Sequence, residues 1–135
     1  MRTAALLSLL ALGIAGCGGA ARDSTKDFAG EKQKVAAVVE ELEKAARADD
    51  PGTVCTELFT DARLAILKEQ GTNCKTGVKD SFKDADSFDI AVDDVTITGT
   101  SAQAKITAGT GSKKKTETLV LKRDGVVWKV DSLQG

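Results

Sequence analysis

The chain has no histidine and no tyrosine, and only one tryptophan, one methionine and one proline among its 135 residues. The two missing types are the commonest general base at neutral pH and the phenolic proton donor, so acid–base chemistry would have to rest on carboxylates, lysines and hydroxyls. An excess of charge of one sign is also missing, with 19 Lys plus Arg against 20 Asp plus Glu. That balance gives no strongly basic face for nucleic acid. The apolar run from Ala4 to Ile14 has about eleven residues, whereas a membrane-spanning helix needs ~20. Its length therefore argues against a permanent transmembrane anchor.

Arg2, the apolar run and the small residues that follow have the layout of a secretory signal. Its exit reads Ile14-Ala15-Gly16-Cys17 and resembles the lipobox of bacterial lipoprotein signal peptides. The resemblance implies that residues 1–16 are removed and that Cys17 becomes the first residue of the mature chain, carrying a thioether-linked diacylglycerol. Two acyl chains anchor stably where a single chain of about 14 carbons holds only marginally. The expected location is the extracytoplasmic side of the cell membrane; a plain secretory leader with Cys17 as a bystander is the alternative. Removing 16 of the 135 residues leaves 119, enough for one domain. Residues 17–25 are small and polar and read as a tether, with the domain at 26–135. The eight residues after Cys17 reach at most about 28 Å at ~3.5 Å each, so any partner is expected close to the membrane.

With Cys17 assigned to lipid, Cys55 and Cys74 allow a single pairing. Outside the membrane oxidation is permitted, and closing a loop of about 20 residues stabilises a fold by roughly 3 kcal/mol in the chain-entropy model. A redox or metal pair is the competing reading. It lacks both a CxxC spacing and any histidine.

Helical spacing of Phe28, Val35, Val38, Val39, Leu42, Ala45 and Ala46 predicts a helix over 26–49, with Glu and Lys on its other side. Asp50 as N-cap and Pro51 at the first position begin a second helix carrying Val54, Cys55, Leu58 and Phe59. Thr60 or Asp61 caps a third with Leu64, Ile66 and Leu67, and a fourth carries Cys74, Val78 and Phe82. At Phe88 the period changes to alternation. Phe88, Ile90 and Val92 share one parity and Val95 and Ile97 the other, so keeping all five inward predicts a β-bulge at Asp93-Asp94. Gly99 and the turn at 109–112 lead into strands with Ala102, Ala104 and Ile106, then Leu119 and Leu121. Asp124-Gly125 predicts a hairpin turn into Val126, Trp128 and Val130 on one face.

Helices followed by an antiparallel sheet define an α+β domain. The long first helix ending at Asp49-Asp50, the shorter helices and the terminal run Asp124-Gly125-Val126-Val127-Trp128-Lys129-Val130-Asp131 resemble the NTF2-like superfamily, and more narrowly its small lipid-anchored members in actinobacteria. A helical layer on a meander sheet fits cystatin-like folds as well. The resemblance implies a cone of three to four helices on a curved four-stranded antiparallel sheet, with a pocket between the first helix and the concave face. It also implies that an enzyme of this kind would pair an Asp with a His or Tyr.

The inward positions Phe88, Ile90, Val92, Ala102, Ala104, Ile106, Leu119, Leu121, Trp128 and Val130 contain no ionisable group. No catalytic residue, metal ligand or cofactor is therefore expected. The sequence suggests a non-catalytic module for binding or interaction with a membrane-proximal envelope protein. The alternative is a carrier or sensor of a small apolar ligand, its cone lined by Trp128, Ala102, Ala104, Phe88 and Ile90; an enzyme is the third reading. Trp128 reads first as an anchor closing the core under the first helix. Lys113-Lys114-Lys115 reads as a solvated run that discourages edge pairing, with anionic lipid headgroups as the functional alternative. The stretch 109–113 lacks the spacing of a phosphate loop. The acidic positions from Asp84 to Asp94 lack the glycine and terminal glutamate of a calcium loop.

The lipid assignment is tested by metabolic labelling with palmitate. The chain should take up label and fractionate with membranes, and Cys17→Ala should do neither.

Overall fold

The computed structural model describes residues 23–84 and 88–134; the expected lipidation site Cys17 and the leader 1–16 lie outside the described residues. The described chain is α+β. It begins with a 3₁₀ turn at Ser24–Asp27 and then forms α1 (Gly30–Arg47), a short helix α2 (Pro51–Thr53) running into a π-helical turn (Val54–Leu58), α3 (Asp61–Glu69) and α4 (Cys74–Asp84). Four strands follow: β1 (Ile90–Thr98), β2 (Ser101–Ala108), β3 (Lys115–Asp124) and β4 (Val127–Gln134). They form one antiparallel meander in the order β1-β2-β3-β4, and the helices cover one of its faces in a cone-like arrangement.

Alternation sets that face. Val92, Val95, Ala102, Ala104, Ile106, Leu119, Leu121, Trp128 and Val130 are all buried, against Val35, Ala36 and Val39 of α1. The two alanines let the helix lie close to the middle of the sheet. β1 does carry the bulge that the parity change requires: Val92 pairs with Ile106 and Asp94 with Lys105, leaving Asp93 as the extra residue. A second irregularity between Val120 and Leu121 sets two residues of β4 against one step of β3. Bulges of this kind bend and twist the strands that carry them.

Both edges of the sheet are partly covered. At the β1 edge, the backbone N–H of Val92 donates to Oγ of the buried Ser24 at 3.0 Å, and that of Ile90 donates to Oε2 of Glu43 at 3.0 Å. Glu43 lies on α1 and is 3 % exposed; its other oxygen accepts from Nε of Arg47 at 2.9 Å, and Arg47 reaches on to Asp89. The Glu43 hydrogen bond, followed by that to Asp89, holds the Arg47 guanidinium charged more firmly than usual. At the β4 edge, the π-helical turn releases Phe59 in extended conformation beside Val130, where it forms an isolated parallel bridge. Thr60 N–H then donates to the Val130 carbonyl at 3.0 Å. Unpaired edge groups are a template for aggregation, and these contacts occupy part of each edge.

Four local expectations are corrected. The first helix starts at Gly30 rather than residue 26, because Ser24 is held against β1 and Glu40, and the chain crosses Phe28 in extended conformation before turning helical. Glu43 belongs to the buried face of α1 rather than its polar side. In the last hairpin Asp124 pairs with Val127, so the two turn residues are Gly125 and Val126. Gly125 adopts φ +61°, as the first position of a two-residue hairpin loop demands, while Val126 points to solvent at 80 % exposure. Ile66 is likewise exposed, and of α3 only the half-buried Leu64 packs on the core, with half-buried Leu67 lining the cavity described below.

The end of α1 is closed by a Schellman pattern. Asp50 N–H bonds to the Ala45 carbonyl and Asp49 N–H to that of Ala46, with Asp49 at φ +50°. Asp50 also caps α2, accepting from Thr53 N–H at 3.1 Å, and Thr60 caps α3 through Arg63 N–H at 3.1 Å.

Removing the buried acceptor at the β1 edge tests the role of Glu43. Glu43→Ala leaves the Ile90 N–H and the Arg47 guanidinium without it and should cost roughly 2 kcal/mol in urea unfolding, while Glu43→Gln, which keeps a carbonyl acceptor, should lose less.

Candidate functional site

The two ends of the cone differ. Under the N-terminal half of α1 the core is closed to solvent: Trp128 is 3 % exposed, and its indole Nε1 donates to Oε2 of Glu31 at 3.0 Å. Arg123 lies over the indole at 5.8 Å from its centroid, and the same Glu31 accepts Lys34 Nζ at 2.6 Å. Lys34 first and Trp128 second hold the Glu31 carboxyl below its ordinary range. Ala102 and Ala104 are equally buried beneath this end of the helix, at 1 % and 0 % exposure.

Under the C-terminal half of α1 the sheet and the helices part, leaving a cavity of about 430 Å³. Its wall on the helical side is Leu42 and Ala46 of α1, Val54 of the π-helical turn, Phe59, and Leu67 of α3. α4 supplies Gly77, Val78, Ser81 and Phe82. The sheet contributes Ile90, Ile106, Ala108, Leu119 and Val130, with Ser132 and Leu133 near the end of β4. Leu133 is 52 % exposed, which marks this side as open to solvent. Such a volume and an apolar lining with a few polar groups are those of small-molecule sites in general.

Two ionisable residues line it, Arg63 of α3 and Glu117 of β3. Arg63 lies over the Phe59 ring at 5.9 Å from its centroid. Glu117 is the cross-strand partner of Ile106 and shares the inward parity of Leu119 and Leu121. The hydroxyls of Ser81 and Ser132 complete the polar lining.

Of the residues expected to line a pocket, the structure brings Ile90 to this cavity. Phe88 precedes the first paired residue of β1 and stacks edge-on against Phe82, with centroids 5.9 Å apart, so it backs the wall rather than lining it. Trp128, Ala102 and Ala104 belong to the filled end. Glu117 was legible from alternation, two residues before Leu119. Arg63 carried no comparable signal, since its inward position follows from how α3 docks beside β4.

Cys55 and Cys74 form the expected disulfide, with Cα atoms 6.1 Å apart. It ties the π-helical turn to the first residue of α4. Val54, Gly77 and Val78, all in the cavity wall, flank its two ends. The single buried residue of α4 is Val78, and Phe82 packs half-buried beside it. No helix among the described residues is long and apolar enough to cross a membrane. No family model matches the chain, and neither does any curated protein or solved structure.

The disulfide therefore bears on the cavity wall more than on the sheet. Replacing both cysteines by alanine should lower stability by roughly 3 kcal/mol, and hydrogen exchange should rise in α4 well before it rises in β2 and β3.

Proposed function

We propose that the chain is a lipid-anchored, extracytoplasmic binding module of the NTF2-like kind that holds a small, largely apolar molecule in the cavity between α1, α4 and the sheet. The observation that carries this reading is the contrast between the two ends of one continuous layer. At one end Trp128, Val35, Val39 and Leu121 are almost fully buried, and the other keeps about 430 Å³ walled by leucine, valine, phenylalanine and alanine side chains. Protein interiors close to crystal-like density, so an apolar space of this size is a feature to be accounted for. A ligand accounts for it, because its burial removes the lining from water at about 25 cal/mol per Å² of apolar surface.

The cavity favours a small molecule over a membrane-proximal protein as the partner, since its concave lining is enclosed by helices on one side and by the sheet on the other. The reading is non-catalytic. The ionisable lining residues are Arg63 and Glu117, and the chain holds no histidine or tyrosine to complete an acid–base pair with the carboxylate. The lipobox-like leader places the module at the membrane surface on the same reading, where apolar molecules concentrate.

An uncharged fluorescent probe, N-phenyl-1-naphthylamine, tests the cavity alone. It should bind saturably to the folded, disulfide-intact chain, and Ala108→Phe, which fills the space from β2, should weaken binding about tenfold or more without unfolding the domain. Absence of saturable binding, or binding unaffected by Ala108→Phe, would overturn the reading.

A further inference from the structure

The polar groups of the cavity point to a ligand class, an inference that rests on the binding reading above. Three arginines lie among the described residues, and two of them hold carboxylates: Arg47 those of Glu43 and Asp89, and Arg123 that of Glu31. Among the described residues Arg63 has no ion-pair partner and its side chain no hydrogen bond, and it lies over the Phe59 ring. It is half-buried, in the first turn of a nine-residue helix, and it lines an apolar cavity. A guanidinium presents five donors in a planar fork, matched to a carboxylate or phosphate oxygen pair, and stacking on an aromatic ring leaves that fork free.

Glu117 is the counter-argument, because a carboxylate on the same lining repels an anion. It is not the sole charge on its strand. Lys115 stands two residues earlier on the same side of β3, directly opposite the cavity-lining Ala108, and Lys114 precedes it. Two cationic residues thus share this end with Glu117, Lys115 on its own strand and Arg63 across the wall.

We propose that the ligand is an anionic amphiphile, a single apolar chain in the cavity ending in an oxyanion that pairs with Arg63. A carboxylate or a monoalkyl phosphate would serve equally. The apolar lining takes the chain, and the unpaired guanidinium takes the head in a charge-assisted, bidentate pair.

The test measures dodecanoate, dodecyl phosphate, methyl dodecanoate and dodecylammonium against the full chain carrying Cys17→Ser, so that no acyl group of its own competes for the cavity. One or both anions should bind more tightly than the ester. Arg63→Gln should weaken the anions by about tenfold or more, toward the affinity of the ester, which itself changes little. Arg63→Lys should recover part of the loss. A merely structural role for Arg63 would weaken acid and ester together, so their ratio separates the two. Equal binding of acid and ester overturns the anionic head while leaving the cavity as a binding site. Tightest binding of dodecylammonium, abolished by Glu117→Gln, assigns the head to the wrong residue and overturns the proposal. Failure of all four to bind overturns both readings.

Discussion

The fold depends on the seam between α1 and the edge strand β1. A sheet buried on one face needs a helix close against it, and Val35, Ala36 and Val39 reach that distance because Ala102 and Ala104 stand opposite them with almost no side chain. Close approach brings a polar problem, since the outer edge of β1 has N–H groups that the helix shields from water. Glu43 and Ser24 answer it from two sides by accepting Ile90 and Val92. The bulge at Asp93 completes the seam by keeping both halves of β1 facing inward.

The seam runs the length of α1, but the space beneath the helix differs from end to end. Under its first turns the single tryptophan is buried and secured by Glu31. Toward the C-terminus of α1 the roof passes to shorter pieces. The π-helical turn bends away to bring Phe59 to β4, α3 buries no residue fully, and α4 buries only Val78 and is tied at its start by the disulfide. These elements span the sheet without filling it. A ligand there would rest on a rigid sheet and be covered by the least firmly packed part of the domain, the combination expected where a molecule must enter and leave.

Features decided within a few residues were legible in the sequence. The parity change at Asp93 gave the bulge, Asp50-Pro51 and Thr60 gave two helix starts, and two remaining cysteines gave the bridge. Features decided by long-range contact were not. Asp124-Gly125 is the stronger local turn signal, yet cross-strand pairing of Asp124 with Val127 moves the turn one residue on. Helical spacing placed Ile66 inward, but α3 meets the core at Leu64 and turns Leu67 to the cavity. The cavity is the clearest case. Its volume is the difference between the sheet's curvature and the placement of four separate segments, and no run of residues encodes that difference by itself. Trp128 and the two alanines, the residues best suited to line a pocket by type, pack the closed end instead.

The central claim is that the open end of the cone is a ligand site while the closed end is core. Methyl NMR spectroscopy of the disulfide-intact chain titrated with dodecanoate tests it directly, because the two ends carry separate probes. The account predicts saturable shifts at Leu42, Val54, Ile106, Leu119, Val130 and Leu133, with Val35, Val39 and Leu121 unmoved. Shifts centred on Val35, Val39 and Leu121, or none at any concentration below micelle formation, would contradict it.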